Sequence, residues 1–339
     1  MTVGVIHRVR RSQEVVVDPQ PDTRPLLPSC VLAAVTAGVL WIGVYVLRHT
    51  GGVGSGIEAG SATLLAPALF ALVGFTLVCE RLWPADRRPL TARGHLHDAG
   101  FFALHIIVVV PLMILLSTGF ARVLGGPVSG IGRSLTGHRP YLLLSAVTFV
   151  LMDGANWLAH WADHRFRTLW RMHALHHSQE ELSVLTSFRA HPLSHLPGFL
   201  LAAVPVGMVM GARGAAPALI TTYVCLGTLS HANTRWTYGP IGRFVVSPPY
   251  HRLHHSIDYR EGVNLGIVLT VWDVLARRAR FPVKSGPVIP TGLSGRPVSV
   301  EQATYRLWDP KILVMQLVEP FTGHSGATNS RRVGCSREP

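Results

Sequence analysis

Four apolar runs of near-bilayer length alternate with polar, arginine-bearing segments along the first half of this chain. They are Val31–Leu47, Ala62–Cys79, Phe101–Phe120 and Tyr141–Leu158. Each has about the 17 to 20 residues that a helix rising roughly 1.5 Å per residue needs to cross a hydrocarbon core of about 30 Å. Two shorter runs, Leu196–Met210 and Ala215–Leu229, contain prolines and are separated only by GARG. They predict a tight helical hairpin that dips into the membrane. The pattern predicts an all-α integral membrane protein with about four transmembrane helices plus this short hairpin.

The polar stretches set the boundaries. Residues 1–27 carry Arg8, Arg10, Arg11 and Arg24 beside a proline-rich segment and are expected to form a disordered basic arm. A transmembrane region over 28–139, a histidine-rich domain over 140–280 and a C-terminal extension over 281–339, ending in a disordered tail, complete the expected organisation. No cleavage-type site follows the first apolar run, so a signal peptide is not expected. Arginines gather before the first run and, as Arg81, Arg87, Arg88 and Arg93, after the second, whereas the loop over 48–61 holds only Arg48. By the positive-inside rule the N-terminus is cytoplasmic, and counting spans places every histidine cluster on that same side. Arg122, Arg133 and Arg139 run against this assignment.

Composition agrees with a membrane protein: 48% of the 339 residues are hydrophobic and 14% charged, against about 25% charged in soluble domains. The net charge of +13 is almost all arginine, since Lys284 and Lys311 are the only lysines. Because the basic residues lie between apolar runs, anionic headgroups explain them and a nucleic-acid partner is not expected. The arginine bias hints at a bacterial cytoplasmic membrane. Cys30, Cys79, Cys225 and Cys335 are far apart and form neither a disulfide framework nor a metal motif.

The chemistry lies in the histidines. Eleven of eighteen fall between residues 160 and 255. His160 and His164 are spaced i, i+4; His173, His176 and His177 are spaced i, i+3, i+4, as are His251, His254 and His255. On helices these offsets bring rings onto one face. So many imidazoles would repel if protonated and would go unsatisfied if neutral, and metal binding resolves both difficulties. Eight nitrogen donors exceed one tetrahedral ion and point to two metals, with zinc, copper, iron and nickel all compatible with imidazole. No H-E-x-x-H is present, so a zinc hydrolase lacks its general base. Asp153, seven residues before His160, is expected to hold a ligand imidazole by its N–H. His105, alone in the third run, is expected to be a satisfied interior residue, with lining of the substrate path as the alternative.

The stretches HWADHRFRTLWRMHALHHS (160–178), TSFRAHP (186–192), SHAN (230–233), HRLHHS (251–256) and NLGIVLTVWD (264–273) resemble the motif series of the membrane fatty acid hydroxylase and sterol desaturase superfamily. The resemblance covers about residues 141–273 and makes 140–280 a fatty acid hydroxylase-like catalytic domain. It implies a di-iron centre in a cytoplasmic histidine-rich cap, which zinc can occupy in place of iron. It also implies O2-dependent hydroxylation, or desaturation, of a lipid C–H bond. The implied ligands are His160, His164, His173, His176, His177, His251, His254 and His255, with His231 added by its match to a further family ligand. His191 also matches a family position, where a supporting role fits, whereas His195 has no counterpart. With no haem or iron–sulfur signature here, electrons are expected from a separate ferredoxin or b-type cytochrome with its reductase, docking near Arg165, Arg167, Arg171 and Arg252. The rival reading is a non-catalytic histidine-rich metal-binding or transport membrane protein.

Overall fold

The computed structural model describes residues 56–87, 93–117, 119–120, 122–123, 140–206, 217–257, 262–282, 288–293 and 310–322. The expected N-terminal arm, the first apolar run, the 207–216 connection and the C-terminal tail lie outside these residues. Nine helices carry the argument below: α1 (Gly56–Leu82), α2 (Gly94–Ser117), α3 (Tyr141–Arg165), α4 (Arg167–His177), α5 (Pro192–Val206), α6 (Pro217–Leu229), α7 (Pro248–His254), α8 (Val271–Leu275) and α9 (Pro310–Thr322). Among the described residues the only β pairings are isolated bridges, at Pro84–Thr234, Val245–Leu269 and Ser256–Thr291.

The second and fourth apolar runs fall within α1 and α3, the third lies in α2 as far as Ser117, and the hairpin runs lie in α5 as far as Val206 and in α6 from Pro217. By length and composition, α2 is the one helix among the described residues that is apolar enough to cross a membrane. The long helices also turn apolar stripes outward. On α3, Leu143, Val147, Val150, Leu151 and Leu158 are 43–55% exposed, at the three- and four-residue spacing that marks one helical face. Phe75, Val78 and Leu82 do the same on α1. Contiguous apolar surface of this kind suits lipid rather than water.

Beyond the apolar part of α3 the chain doubles back. Phe166 is extended, with φ −101° and ψ 125°, which ends α3 and starts α4 in a new direction, so that the histidines of α4 return against those of α3. Pro248 and Pro249 occupy the first turn of α7, where their fixed φ suits a helix start and a missing N–H costs nothing.

A polar framework ties this cap to the helices beneath. Val73, Leu77, Phe102, Val184, Leu185 and Phe188 form one apolar cluster, each fully buried member contributing about 1.5–3 kcal/mol relative to exposure. At its edge Asp98, with no exposed surface, accepts from the Gln179 amide at 2.8 Å, the Thr186 hydroxyl at 2.8 Å and Arg189 Nη1 at 3.2 Å. Arg189, 1% exposed, also donates to the Leu175 carbonyl and to Ser178 Oγ. Glu80 Oε1 accepts from the backbone N–H groups of Val184 and Asn233, joining α1 to two loops of the cap. The C-terminal extension takes part too. Gly292 N–H donates to the His255 carbonyl, and the Leu317 carbonyl of α9 accepts from His191 Nε2.

Removing one partner of the Asp98–Arg189 pair strands a buried charge. Asp98→Ala should therefore cost about 3–5 kcal/mol of stability, read as a lowered thermal midpoint of the detergent-solubilised protein.

Candidate metal centre

Nine imidazoles converge in the cap and divide into two groups. His160, His164, His173, His177 and His254 form one, and His176, His231, His251 and His255 the other, with the potential ligand atoms of each group within 4.8 Å of one another. The division cuts through the adjacent pairs. Neighbouring helical residues diverge by about 100°, so His176 and His177 on α4 turn into different groups, as do His254 and His255 at the end of α7. Each pair straddles both sites, and the His177 and His255 rings stack across the boundary with centroids 4.4 Å apart.

Hydrogen bonds settle the tautomers of four rings. His160 Nδ1 lies 2.8 Å from the Leu265 carbonyl, His176 Nδ1 3.2 Å from that of Arg189, and His254 Nδ1 2.9 Å from that of Val263. A carbonyl only accepts, so each Nδ1 carries the proton. Ser187 and Ser230 donate their hydroxyl protons to the Thr228 and Gly227 carbonyls, so His231 Nδ1, 2.9 Å from Ser187 Oγ, is the donor there as well. The Nε2 atoms of these four rings are therefore bare lone pairs turned inward.

That result decides whether the site suits a metal. His231 Nε2 and His176 Nε2 stand 3.0 Å apart, and with both protons committed elsewhere the contact sets two lone pairs against each other. His251 Nε2 lies a further 3.0 Å from His231 Nε2. Two nitrogens at right angles on one ion, each at about 2.0–2.1 Å, are separated by about 3 Å. In the other group, His160 Nε2 and His177 Nε2 lie 3.1 and 3.2 Å from His173 Nε2, while His164 Nε2 and His254 Nε2 are sealed without a protein partner among the described residues. The donor set thus fits two imidazole-bound cations. Burial lowers the pKa of all nine rings, that of His176 to about 3, and mutual repulsion lowers most of them further. The rings are held neutral, as ligands must be.

The supports of the two groups come from different parts of the chain. Asp273, fully buried, accepts from Trp157 Nε1, the Leu265 and Gly266 N–H groups and the Tyr250 hydroxyl, all at 2.8–2.9 Å. It fixes the loop whose Val263 and Leu265 carbonyls orient His254 and His160. Asn264 turns that loop with a left-handed φ of 54°, its amide donating to the Tyr250 and Arg280 carbonyls. A Cβ on Gly266 would come within 2.7 Å of the Leu269 carbonyl, so the loop closes only around glycine. The second group is oriented by Ser187 and Arg189, in the segment that Asp98 and Glu80 hold.

Asp153 occupies a different place from the one expected. Its oxygens accept from Val268 N, Leu269 N and Trp272 Nε1 at 2.9–3.1 Å, and no imidazole. It braces the far end of the same loop, whose backbone donors pack against the face of α3 that carries it. Gly154 lets Trp272 approach; a Cβ there would meet the indole at 2.8 Å. His191 lies outside both groups, its Nδ1 accepting from Leu193 N. Asp163, which the sequence reading passed over, is buried with Oδ2 3.9 Å from His173 Nδ1, and burial raises its carboxyl to about 7. Arg252 is 7% exposed and donates to Asn233 Oδ1, so it is no part of a docking surface, whereas Arg165 and Arg167 are exposed.

Residues 145–277 match the family model for fatty acid hydroxylase. That segment is similar to the fatty acid hydroxylase family. The resemblance read from the histidine motifs is borne out over this segment, which holds all nine histidines of the cage. Over 136 residues the chain is 35% identical to the ornithine lipid hydroxylase OlsE of Rhizobium tropici, a match covering 37% of this chain and 38% of that relative. No solved structure matches significantly.

Two outcomes follow for the histidine cage. Asp273→Asn, which keeps the shape and loses the charge, should weaken metal affinity by about 10 to 100-fold in competition titrations with a chelator. For the metal-free protein, rings with lowered pKa values bind fewer protons folded than unfolded, so stability falls as pH drops below the unfolded value of about 6.5. Its unfolding midpoint should fall between pH 7 and pH 5.5, while variants lacking several cage histidines should show a flatter profile.

Proposed function

We propose that this chain is a membrane-bound di-iron oxygenase that hydroxylates a C–H bond of a lipid, with desaturation as the alternative outcome at the same site. The observation that carries the reading is the pair of adjacent, buried imidazole groups with inward lone pairs, inside a segment that matches the fatty acid hydroxylase family. His160, His164, His173, His177 and His254 would hold one ion, and His176, His231, His251 and His255 the other. When bound, two irons would supply O2 activation: one oxygen atom enters the C–H bond, the other leaves as water, two electrons come from a separate carrier and two protons come from solvent water.

The rest is the work of this chain's residues. The carbonyls of Leu265, Val263 and Arg189 keep protons on Nδ1 so that Nε2 stays available. The Asp273 and Asp98 frameworks hold the rings in register as ions come and go. Depressed basicity keeps the cage neutral at ordinary pH, so no ring competes for the protons that water formation consumes. The outward apolar faces of α1, α2 and α3 place the cap where a lipid chain can reach it. Electrons from a ferredoxin or a b-type cytochrome, and a cytoplasmic position for the cap, belong to the same proposal.

The relative named as an ornithine lipid hydroxylase supports amino-acid-bearing acyl lipids as the first substrates to try. Membranes containing the protein, supplied with reductant and isotopically labelled O2, should yield a labelled hydroxylated lipid. His176→Ala and His254→Ala, one from each group, should each lower product below about 1% of the unaltered protein and reduce bound iron. Product formation that survives both changes together would sink the proposal. A single bound zinc with no O2 uptake under iron-replete conditions would favour the rival metal-binding or transport protein.

A further inference from the structure

A second meeting of imidazoles lies outside the nine-histidine cage. His105 stands midway along the apolar helix α2, and His195 near the start of α5, with ring centroids 5.2 Å apart at 61°. His105 Nδ1 and His195 Nε2 are both sealed from solvent and have no hydrogen-bond partner among the described residues. The expectation of a satisfied interior histidine at 105 therefore fails. Leaving a buried polar atom unpaired is destabilising, and a polar group within an apolar membrane helix is rarely kept without use. Two rings in contact, each with such an atom, form a place for a hydrogen-bonding ligand.

The backbone is also unusual there. His105 opens a π-helical turn, His105–Val109, and α5 contains another, Phe199–Ala203. Such turns are uncommon and are frequently found at functional sites. The pair adjoins the base of the cage by two routes. The His105 ring packs on Phe188 at 5.5 Å, and Phe188 sits between Ser187 and Arg189, which orient His231 and His176. Three residues after His195, Gly198 lies against Asn156 Oδ1, one turn before His160 on α3. Asp98, which anchors the cap, precedes His105 by seven residues, or about 10 Å of helix, so the pair sits deeper along the apolar helix than the cage framework.

Resting on the lipid-hydroxylase reading, we infer that His105 and His195 form a subsite that grips a neutral polar group of the lipid, an amide or a hydroxyl, and so fixes which carbon faces the cage. Each neutral ring can offer either a donor or an acceptor, which matches a group possessing both. A charged headgroup is disfavoured, because two neutral imidazoles among apolar side chains offer it no counter-charge.

The test is a binding measurement that does not depend on turnover. The full chain in nanodiscs is photolabelled with a long-chain primary fatty amide carrying a diazirine, with unlabelled amide or an alkane of equal length as competitor. Labelling should fall within residues 101–109 or 192–199 and yield to the amide but not to the alkane. His105→Phe and His195→Phe should each weaken amide competition roughly tenfold, the order expected for one lost hydrogen bond, with metal content unchanged; His195→Gln, which restores a donor and an acceptor, should recover most of it. Equal competition by alkane and amide would overturn the subsite, and so would wild-type labelling in both Phe variants. Loss of metal in all three variants would reassign the pair to support of the cage. Absence of hydroxylated product from the unaltered protein would count against the proposed function alone, since the competition still reads the subsite.

Discussion

Everything in the cap answers to one electrostatic constraint: lone pairs that point at each other. Once the carbonyls of Leu265, Val263 and Arg189 and the hydroxyl of Ser187 have claimed the Nδ1 protons, the facing Nε2 atoms of His176 and His231 have no proton to share. Protonating the rings would relieve the facing lone pairs, but burial opposes charge and neighbouring rings repel it. A cation bound by several nitrogens removes the conflict without adding a proton. The metal-free fold therefore carries a standing cost, which the surrounding carboxylates have to hold in check.

This explains why so much of the polar framework is spent on backbone. Asp273 takes four hydrogen bonds, and two of them come from the N–H groups of Leu265 and Gly266. Glu80 and Asp153 likewise accept from main-chain donors. Direct carboxylate-to-imidazole bonds would raise ring basicity and draw protons into the cage. Routing support through neutral carbonyls orients the rings while keeping them weakly basic. Asp163 is the instructive exception, since it sits beyond good hydrogen-bonding distance of His173 and burial favours its neutral form.

Much of this was legible in the sequence, and the part that was not has a physical cause. Helical spacing identified the rings of α3, α4 and α7, because an i, i+3, i+4 pattern fixes a common face whatever the tertiary context. His231 lacks such a partner and emerged only from the resemblance. The apolar runs located α1, α2 and α3, because length and composition suffice for that. The role given to Asp153 failed because helical register says which face a residue occupies but not which loop packs there. Nor could any pattern reveal that Leu265 or Arg189 acts through its carbonyl, since every residue has one. The pairing of His105 with His195 was hidden for the same reason: it joins two helices 90 residues apart in the chain.

The adjacent histidine pairs carry the deepest consequence of the local geometry. On α4 and at the end of α7 each adjacent pair gives one imidazole to each group, so the distance between the two sites is written into the fan of neighbouring side chains as well as into longer-range contacts. A shift of either helix moves ligands of both sites together. Loops that orient the rings can then differ, as the Asp273 and Asp98 frameworks do, without changing how far apart the sites stand. Two cations held in this way would keep their spacing through loading and loss, and a reaction that needed both at once would depend first on the rigidity of two short helices.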